Sequence, residues 1–511
     1  MRPFVKNTVN GGGGSRLMVV MFAMNIACCG VAQETAGWGG AKVTTTDLLK
    51  GDPKHGKFAY SQAAVATRAG CHVAKVEGER GKEVFVRRDG QRGKAYEDIA
   101  PPVFSPDGSA LAYAVRGVGG SRFIINEREG PLFEEVIPET FVFSNDGKRH
   151  AYLARKAGRL VAVVDGVLQT EAGGDMVPRL QPPVFSADGS SVGYLEGSRL
   201  RKKMRVVVNG KPGEIFDGVD LQSLRFSPDG RRLSYGANDR TTRSSWFCVI
   251  DGQQRSPFDD VGISYAFSPD GKRFAYRANR AGQRYLVVDG ESEIPVEGIG
   301  NHTITFSPDS RRLAYAVVKP DRRGYLVLDG KAGPVNDGIV APLPPGLAPN
   351  RPSTQAPSVL GYMPLLPTSV IVFSPDSRRL AYAARSGQTF RVYLYGEAEE
   401  VEMDFLVGGM EFSGDSKRLA YGGRRGNKIF LVVDGKKGAD YDALGDSVFS
   451  HDGKHMAFAA KKGDQWAIVV DGQERAKYDA VPAGPVFRSD GVLELLATDQ
   501  TSLYRIEVRG F

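Results

Sequence analysis

One ten-residue stretch recurs through this chain and constrains its fold more than any other feature. Phe267-Ser268-Pro269-Asp270-Gly271-Lys272-Arg273-Phe274-Ala275-Tyr276 reads as a strand, a tight turn and a second strand. Pro269 presets φ for the second position of a type I turn. Asp270 is suited to accept nearby backbone N–H groups, and Gly271 supplies the left-handed conformation that closes a three-residue hairpin with a bulge. Phe267, Phe274 and Tyr276 alternate with smaller residues, as half-buried strands do.

The same register returns at Phe104, Phe143, Phe185, Phe226, Phe306, Phe373, Phe412, Phe449 and Phe487, at spacings of 37 to 42 residues with one exception of 67. A worn first copy at Val65–Ala74 makes eleven. Ser310, Ser377 and Ser416 stand where the turn glycine is expected, at a predicted cost of roughly 1 kcal/mol per turn. Each unit has a second half, an apolar run ending in Asp-Gly, as at Asp165, Asp251, Asp289, Asp329, Asp434 and Asp471, with Asn209-Gly210 a close variant. Asp-Gly between apolar runs signals a hairpin. An aromatic, an acid and an apolar residue mark a fourth strand, as in Phe258-Asp259-Asp260-Val261 and Tyr441-Asp442-Ala443-Leu444.

Four short antiparallel strands in about 40 residues, repeated many times, predict an all-β protein, a β-propeller of about eleven four-stranded blades. The repeat resembles the WD40-like repeats of TolB-type propellers, which also occur in tricorn and prolyl-oligopeptidase-type proteases. The resemblance covers residues 54–511 and speaks to the fold. A ring usually holds four to eight blades. Eleven predict two packed rings, with one large ring as the alternative. His55-Gly56-Lys57-Phe58 matches the start of an outer strand and the last copy lacks one, so residues 54–62 are expected to complete the last blade.

Residues 1–32 carry Arg2, Lys6 and Arg16, then a short apolar run from Leu17 to Ala27, then small residues, the pattern of a cleaved signal peptide. This predicts a periplasmic or secreted protein with no transmembrane span after cleavage; Cys28 and Cys29 leave lipidation as a second reading. Residues 33–53 read as a linker, without the separate N-terminal domain of the TolB type. Of the remaining cysteines, Cys71 and Cys248 fall at different repeat positions, which gives no reason to pair them. The long spacing holds a Pro-rich insertion at 340–368, expected between an outer strand and the next inner strand. It reads as a surface linker or as a lid over the channel.

No Gly-x-Ser-x-Gly elbow is present, and the six histidines show no metal-ligand spacing. The repeated aspartates read as turn residues rather than calcium ligands. No catalytic residue, metal or cofactor is assigned. The net charge of +8 and the basic loops between second and third strands point to an anionic partner. Lys202, Lys203, Arg322, Arg323, Arg424 and Arg425 are the expected contacts. Sparse aromatic residues in these loops, together with export, argue against nucleic acid. The functional expectation is a non-enzymatic platform of the bacterial envelope for an acidic protein or an anionic glycan. The alternative is a lyase or hydrolase acting on a polysaccharide.

Overall fold

Turns of two kinds alternate along the chain, and strands of matching length join them into eleven antiparallel sheets. The computed structural model describes residues 42–50, 63–66, 72–79, 83–169, 176–198, 200–220, 223–239, 246–300, 303–339, 371–394, 397–498 and 502–510. Blade 6 shows the unit in four strands: Asp260–Phe267, Phe274–Arg280, Gln283–Val288 and Ser292–Val296. Blades 1 to 5 begin at Ala63, Asp98, Glu135, Met176 and Gly218, and blades 7 to 11 at Thr305, Gly338, Phe405, Ala443 and Ala480. In blades 2, 4, 5 and 8 the first strand is interrupted, and both halves pair with the same second strand. First strands of neighbouring blades pack on each other, as Ala443–Phe449 does on Ala480–Phe487, so they are the innermost.

Every successive pair of blades, from 1 and 2 to 10 and 11, shares an apolar cluster. The series runs unbroken across the insertion, where Ala316 and Leu326 of blade 7 pack with Ile371 and Tyr382 of blade 8. Two rings would need clusters between blades distant in sequence, and none is found among the described residues. The first and last blades meet instead at an ion pair, Arg505 Nη2 to Asp89 Oδ1 at 3.2 Å. The arrangement is a single series of eleven blades.

Three expectations change in detail. Lys42–Lys50, read as linker, is a strand that pairs with Ser502–Arg509 as the fourth strand of blade 11. Residues 54–62, expected in that place, lie outside the described residues, as do 1–32 and Cys71. The insertion interrupts a single inner strand of blade 8: Ile339 pairs with Ala384 and Ile371 with Tyr382. Residues 340–368 themselves lie outside the described residues. Finally, the aromatic, acid and apolar residues divide between blades. Phe258 bridges back to Trp246 of blade 5, whereas Asp260 and Val261 already belong to the first strand of blade 6.

The first turn forms as its residues dictate. In blade 6, Ser268 Oγ donates to Asp270 Oδ1 at 2.6 Å and accepts the Arg273 N–H at 2.9 Å. The hydroxyl and the N–H groups of residues in the turn hold the carboxyls of this register below the ordinary aspartate range, and in Asp452 it falls to about 2. Gly271 adopts φ +70°, and a Cβ there would lie 2.8 Å from Asp229 Oδ1 of blade 5. Glycine is thus needed both for its φ and for the close approach of neighbouring blades. The serine variants compensate. Ser310, at φ +64°, accepts the Asp270 N–H of the previous blade at 2.9 Å. Ser377 and Ser416 do the same for Asp309 and Asp376. The predicted cost of these serines is therefore offset by an interblade hydrogen bond.

An arginine directly after the turn links the blades. Arg232 Nε donates to Asp251 Oδ2 of its own blade at 2.9 Å, and its Nη1 donates to the carbonyls of Gly271 and Lys272 of the next blade at 3.2 and 2.7 Å. Its guanidinium also lies over Phe267 of that blade, 5.6 Å from the ring centroid. Arg149, Arg312 and Arg418 repeat the whole pattern, and Arg379 its interblade half. The Asp-Gly aspartate serves twice, since Asp251 Oδ1 also accepts the Leu233 N–H at 2.9 Å. That explains aspartate at this position as well as its positive φ.

Two stability measurements follow from this network. Gly271→Ala should destabilise by more than about 1 kcal/mol in urea unfolding, whereas Gly271→Ser should cost less because its hydroxyl can take the Asp229 N–H. Equal losses would contradict the serine compensation. Arg232→Ala should cost about 1–3 kcal/mol, since it removes the donor to Asp251 Oδ2 and to two carbonyls of the next blade.

Candidate functional site

The hairpins between second and third strands all emerge at one end of the blades. In three of them the acid just ahead of the first strand closes the hairpin: Asp259 accepts the Ala281 N–H at 2.7 Å, Asp404 that of Gly426 at 2.7 Å and Asp442 that of Gly463 at 2.8 Å. Each basic hairpin of this kind therefore has a carboxylate beneath it, which counting cations along the chain does not reveal.

The six expected contacts lie on this face but in three separate blades, 4, 7 and 9. Lys203 pairs with Asp217 at 2.9 Å and Arg323 with Asp321 at 2.7 Å. Arg424 and Arg425 donate to the carbonyls of Gly426 and Glu402. Lys202 and Arg322 are exposed and form no ion pair among the described residues. The structure does not bring the six together.

What it does gather is a mixed basic and apolar patch over blades 2 to 4. A groove of about 590 Å³ runs between the blade 3 hairpin and the first strand of blade 4, lined by Arg155, Arg159, Arg179, Leu160, Pro178 and Leu180. Arg155 is held by Glu135 at 2.8 Å. Leu180 is 62% exposed, and the hairpin tips on either side carry Val118 and Leu200 at 94% and 85%. A smaller groove of about 410 Å³ lies between blades 2 and 3, with Leu132 and Lys156 in its wall. The blade 3 hairpin was legible as basic, but Arg179 carries no repeat signal. Its place in the groove comes from the packing of blade 4 on blade 3.

Two carboxylates sit on inner strands. Glu411 keeps contact with solvent, and partial desolvation by the surrounding protein pushes its carboxyl from 4.5 up to about 7. Asp446 of the next blade is raised for the same reason. Neither forms an ion pair among the described residues. His455 takes the place of the linking arginine in blade 10, its Nδ1 2.7 Å from Asp471 Oδ2, and is a structural residue. Cys248 is buried and free. Among the described residues no group of three His, Cys, Asp or Glu side chains could hold a metal ion, and no helix is long and apolar enough to cross a membrane.

The eleven four-stranded sheets form a β-propeller arrangement. No family model matches the chain, and no curated protein does. Among solved structures it is similar to a crystal structure of a eukaryotic initiation factor, with 14% identity, 76% of this chain and 98% of that chain covered, and a TM-score of 0.40. It is similar to TolB from Acinetobacter baumannii, with 14% identity, coverage of 64% and 78%, and a TM-score of 0.24. An oligogalacturonate lyase in complex with manganese has 12% identity, coverage of 66% and 97%, and a TM-score of 0.28. At these identities the likeness concerns the fold alone.

Glu411 gives a test of the inner wall. Between its ordinary value and about 7 the folded chain holds a proton that the unfolded chain has released, so this group lowers stability as pH rises through that window. Glu411→Gln should therefore stabilise the protein at about pH 8 relative to about pH 5 in urea unfolding. An identical difference from wild type at both pH values would mean that Glu411 titrates normally.

Proposed function

We propose that this propeller is a binding platform that takes an acidic protein partner on its hairpin face, over blades 2 to 4, in the bacterial envelope. The observation that carries the reading is a groove that sets Arg155, Arg159 and Arg179 beside the exposed Leu180, with Val118, Leu200 and Lys202 exposed on the hairpins of the two neighbouring blades. Scattered apolar residues on a surface need no explanation, but apolar side chains grouped with arginine around a groove are the composition of a protein-binding site. A partner with acidic residues flanking an apolar anchor would pair with the arginines and fill the groove. The envelope location rests on the signal-like pattern of residues 1–32.

Of the six residues expected from the repeat, this reading keeps Lys202 and Lys203 at the edge of the patch. Arg322, Arg323, Arg424 and Arg425 lie blades away and are assigned no contact. For the alternative, a polysaccharide lyase or hydrolase, no catalytic residue is assigned; Glu411 and Asp446 form no ion pair among the described residues.

The test is site-specific photocrosslinking in an envelope extract, with the crosslinker at Leu180 or Leu200, or at Ile294 on the outer rim of blade 6. The expected result is one dominant acidic protein captured at Leu180 and Leu200, absent at Ile294 and lost in Arg155→Glu/Arg179→Glu. Equal capture at all three positions, or capture indifferent to the charge reversal, would reject the patch as the binding site.

A further inference from the structure

The opposite end of the blades carries a different kind of surface. There the residue between the turn glycine or serine and the linking position is a cation in six consecutive blades, 5 to 10: Arg231, Lys272, Arg311, Arg378, Lys417 and Lys454. All six are exposed, and the side chains of Arg231, Lys417 and Lys454 are 86%, 81% and 76% accessible. The arc ends at Ser190 in blade 4 and at the buried Val492 in blade 11.

These cations are held in register by the network beneath them. Arg232 donates to the carbonyl of Lys272, Arg379 to that of Lys417 and Arg418 to that of Lys454, each at 2.7 Å. Arg312 does so for Arg378 at 3.4 Å. Each cationic residue so held is fixed at its backbone by the preceding blade while its side chain points to solvent. The turn aspartates sit beside the cations but are already engaged on one oxygen. Their Oδ1 atoms are taken by the serine hydroxyl and a backbone N–H, and the distances to Arg231, Lys417 and Lys454 are 3.9, 3.7 and 3.3 Å. Exposed pairs of this kind contribute little. Lys272, Arg311 and Arg378 form no ion pair among the described residues.

We propose that this arc is a second binding surface and that its ligand is a linear anionic polysaccharide. The array is regular, curved and pre-organised, at one cation per blade, a spacing of roughly 10 Å from face-to-face sheet packing. A flexible chain with repeated carboxylate or sulfate groups can follow such an arc. The turns that bear it, Ser-Pro-Asp-Gly-Arg-Arg in blade 5 through Ser-His-Asp-Gly-Lys-His in blade 10, contain no Phe, Tyr or Trp. They thus lack the stacking platforms that single-stranded nucleic acid uses and the aromatic anchors that protein partners use. The proposal does not depend on the hairpin face, which lies at the other end of the strands.

The experiment measures binding of the full chain to dextran sulfate and alginate, with neutral dextran, oligothymidylate and polyglutamate as comparisons. Dextran sulfate and alginate should bind and dextran should not, with affinity falling as salt rises. Arg231→Ala/Lys272→Ala/Lys417→Ala/Lys454→Ala should weaken binding by about tenfold or more and flatten its salt dependence, as the loss of counterion release requires. Arg155→Gln/Arg179→Gln, which removes charge from the other end of the strands, should weaken it far less than the arc variants. If the fourfold variant melts below wild type, Lys272→Gln/Lys417→Gln provides the same comparison at lower risk to the fold. Unchanged binding in both arc variants, or equal binding of neutral dextran, would overturn the site. Oligothymidylate or polyglutamate bound as tightly through the same residues would overturn the polysaccharide assignment.

Discussion

The hydrogen bonds that pass from the turn of one blade to the turn of the next are the interaction on which the rest of this structure depends. A sheet of four short strands buries too little surface to stand alone. Apolar side chains between blades supply the cohesion, but apolar contact is non-directional. Direction comes from the polar network: the serine hydroxyl on the aspartate, the glycine or serine against the previous blade, and the arginine reaching two carbonyls ahead. Arg232 alone touches Asp251, Gly271, Lys272 and the face of Phe267. Repetition of that contact sets the angle at which each blade meets the next.

The same network explains why the two ends of the blades differ. At the turn end the arginines are turned inward and satisfied, and the cations one residue earlier in blades 5 to 10 stay exposed in an even arc. At the hairpin end the loops differ in length and sequence from blade to blade. There the acids that close the hairpins offset much of the basic charge. What distinguishes blades 2 to 4 on that face is the exposed Val118, Leu180 and Leu200 rather than charge. A net charge of +8 therefore does not describe a single basic surface. Much of the arginine is structural.

Much of the blade was legible because its turns are chemically specific. Gly271, Asp289 and Gly290 have the positive φ that their residue types imply, +70°, +56° and +77°. The role of the linking arginines was not legible: Arg149, Arg232, Arg273, Arg312, Arg379 and Arg418 recur one residue before the second strand, but a cation on a strand flank reads as solvated without a known neighbour. The serine variants misled for a similar reason. Ser310 has an unfavourable φ by itself and is offset only by Asp270, which is 40 residues away. The closing strand was misplaced because residues 54–62 and Lys42–Lys50 both fit the weak pattern of an outer strand, where exposed polar residues leave little periodicity.

Local physics thus determined, from sequence alone, what the unit is: four strands, a first turn built on Ser-x-Asp-Gly or its serine variant and, in most copies, an Asp-Gly turn, in eleven copies. These depend on φ preferences, side chain to backbone hydrogen bonds and alternation over a few residues, all written contiguously. Tertiary structure decided how the units meet. The single series of blades, the groove joining Arg155 to Arg179 and the arc of six cations depend on contacts between neighbouring blades, whose residues lie some 24 to 68 positions apart. Such contacts are set by how the apolar faces of neighbouring sheets pack, and no stretch of the chain read by itself contains them.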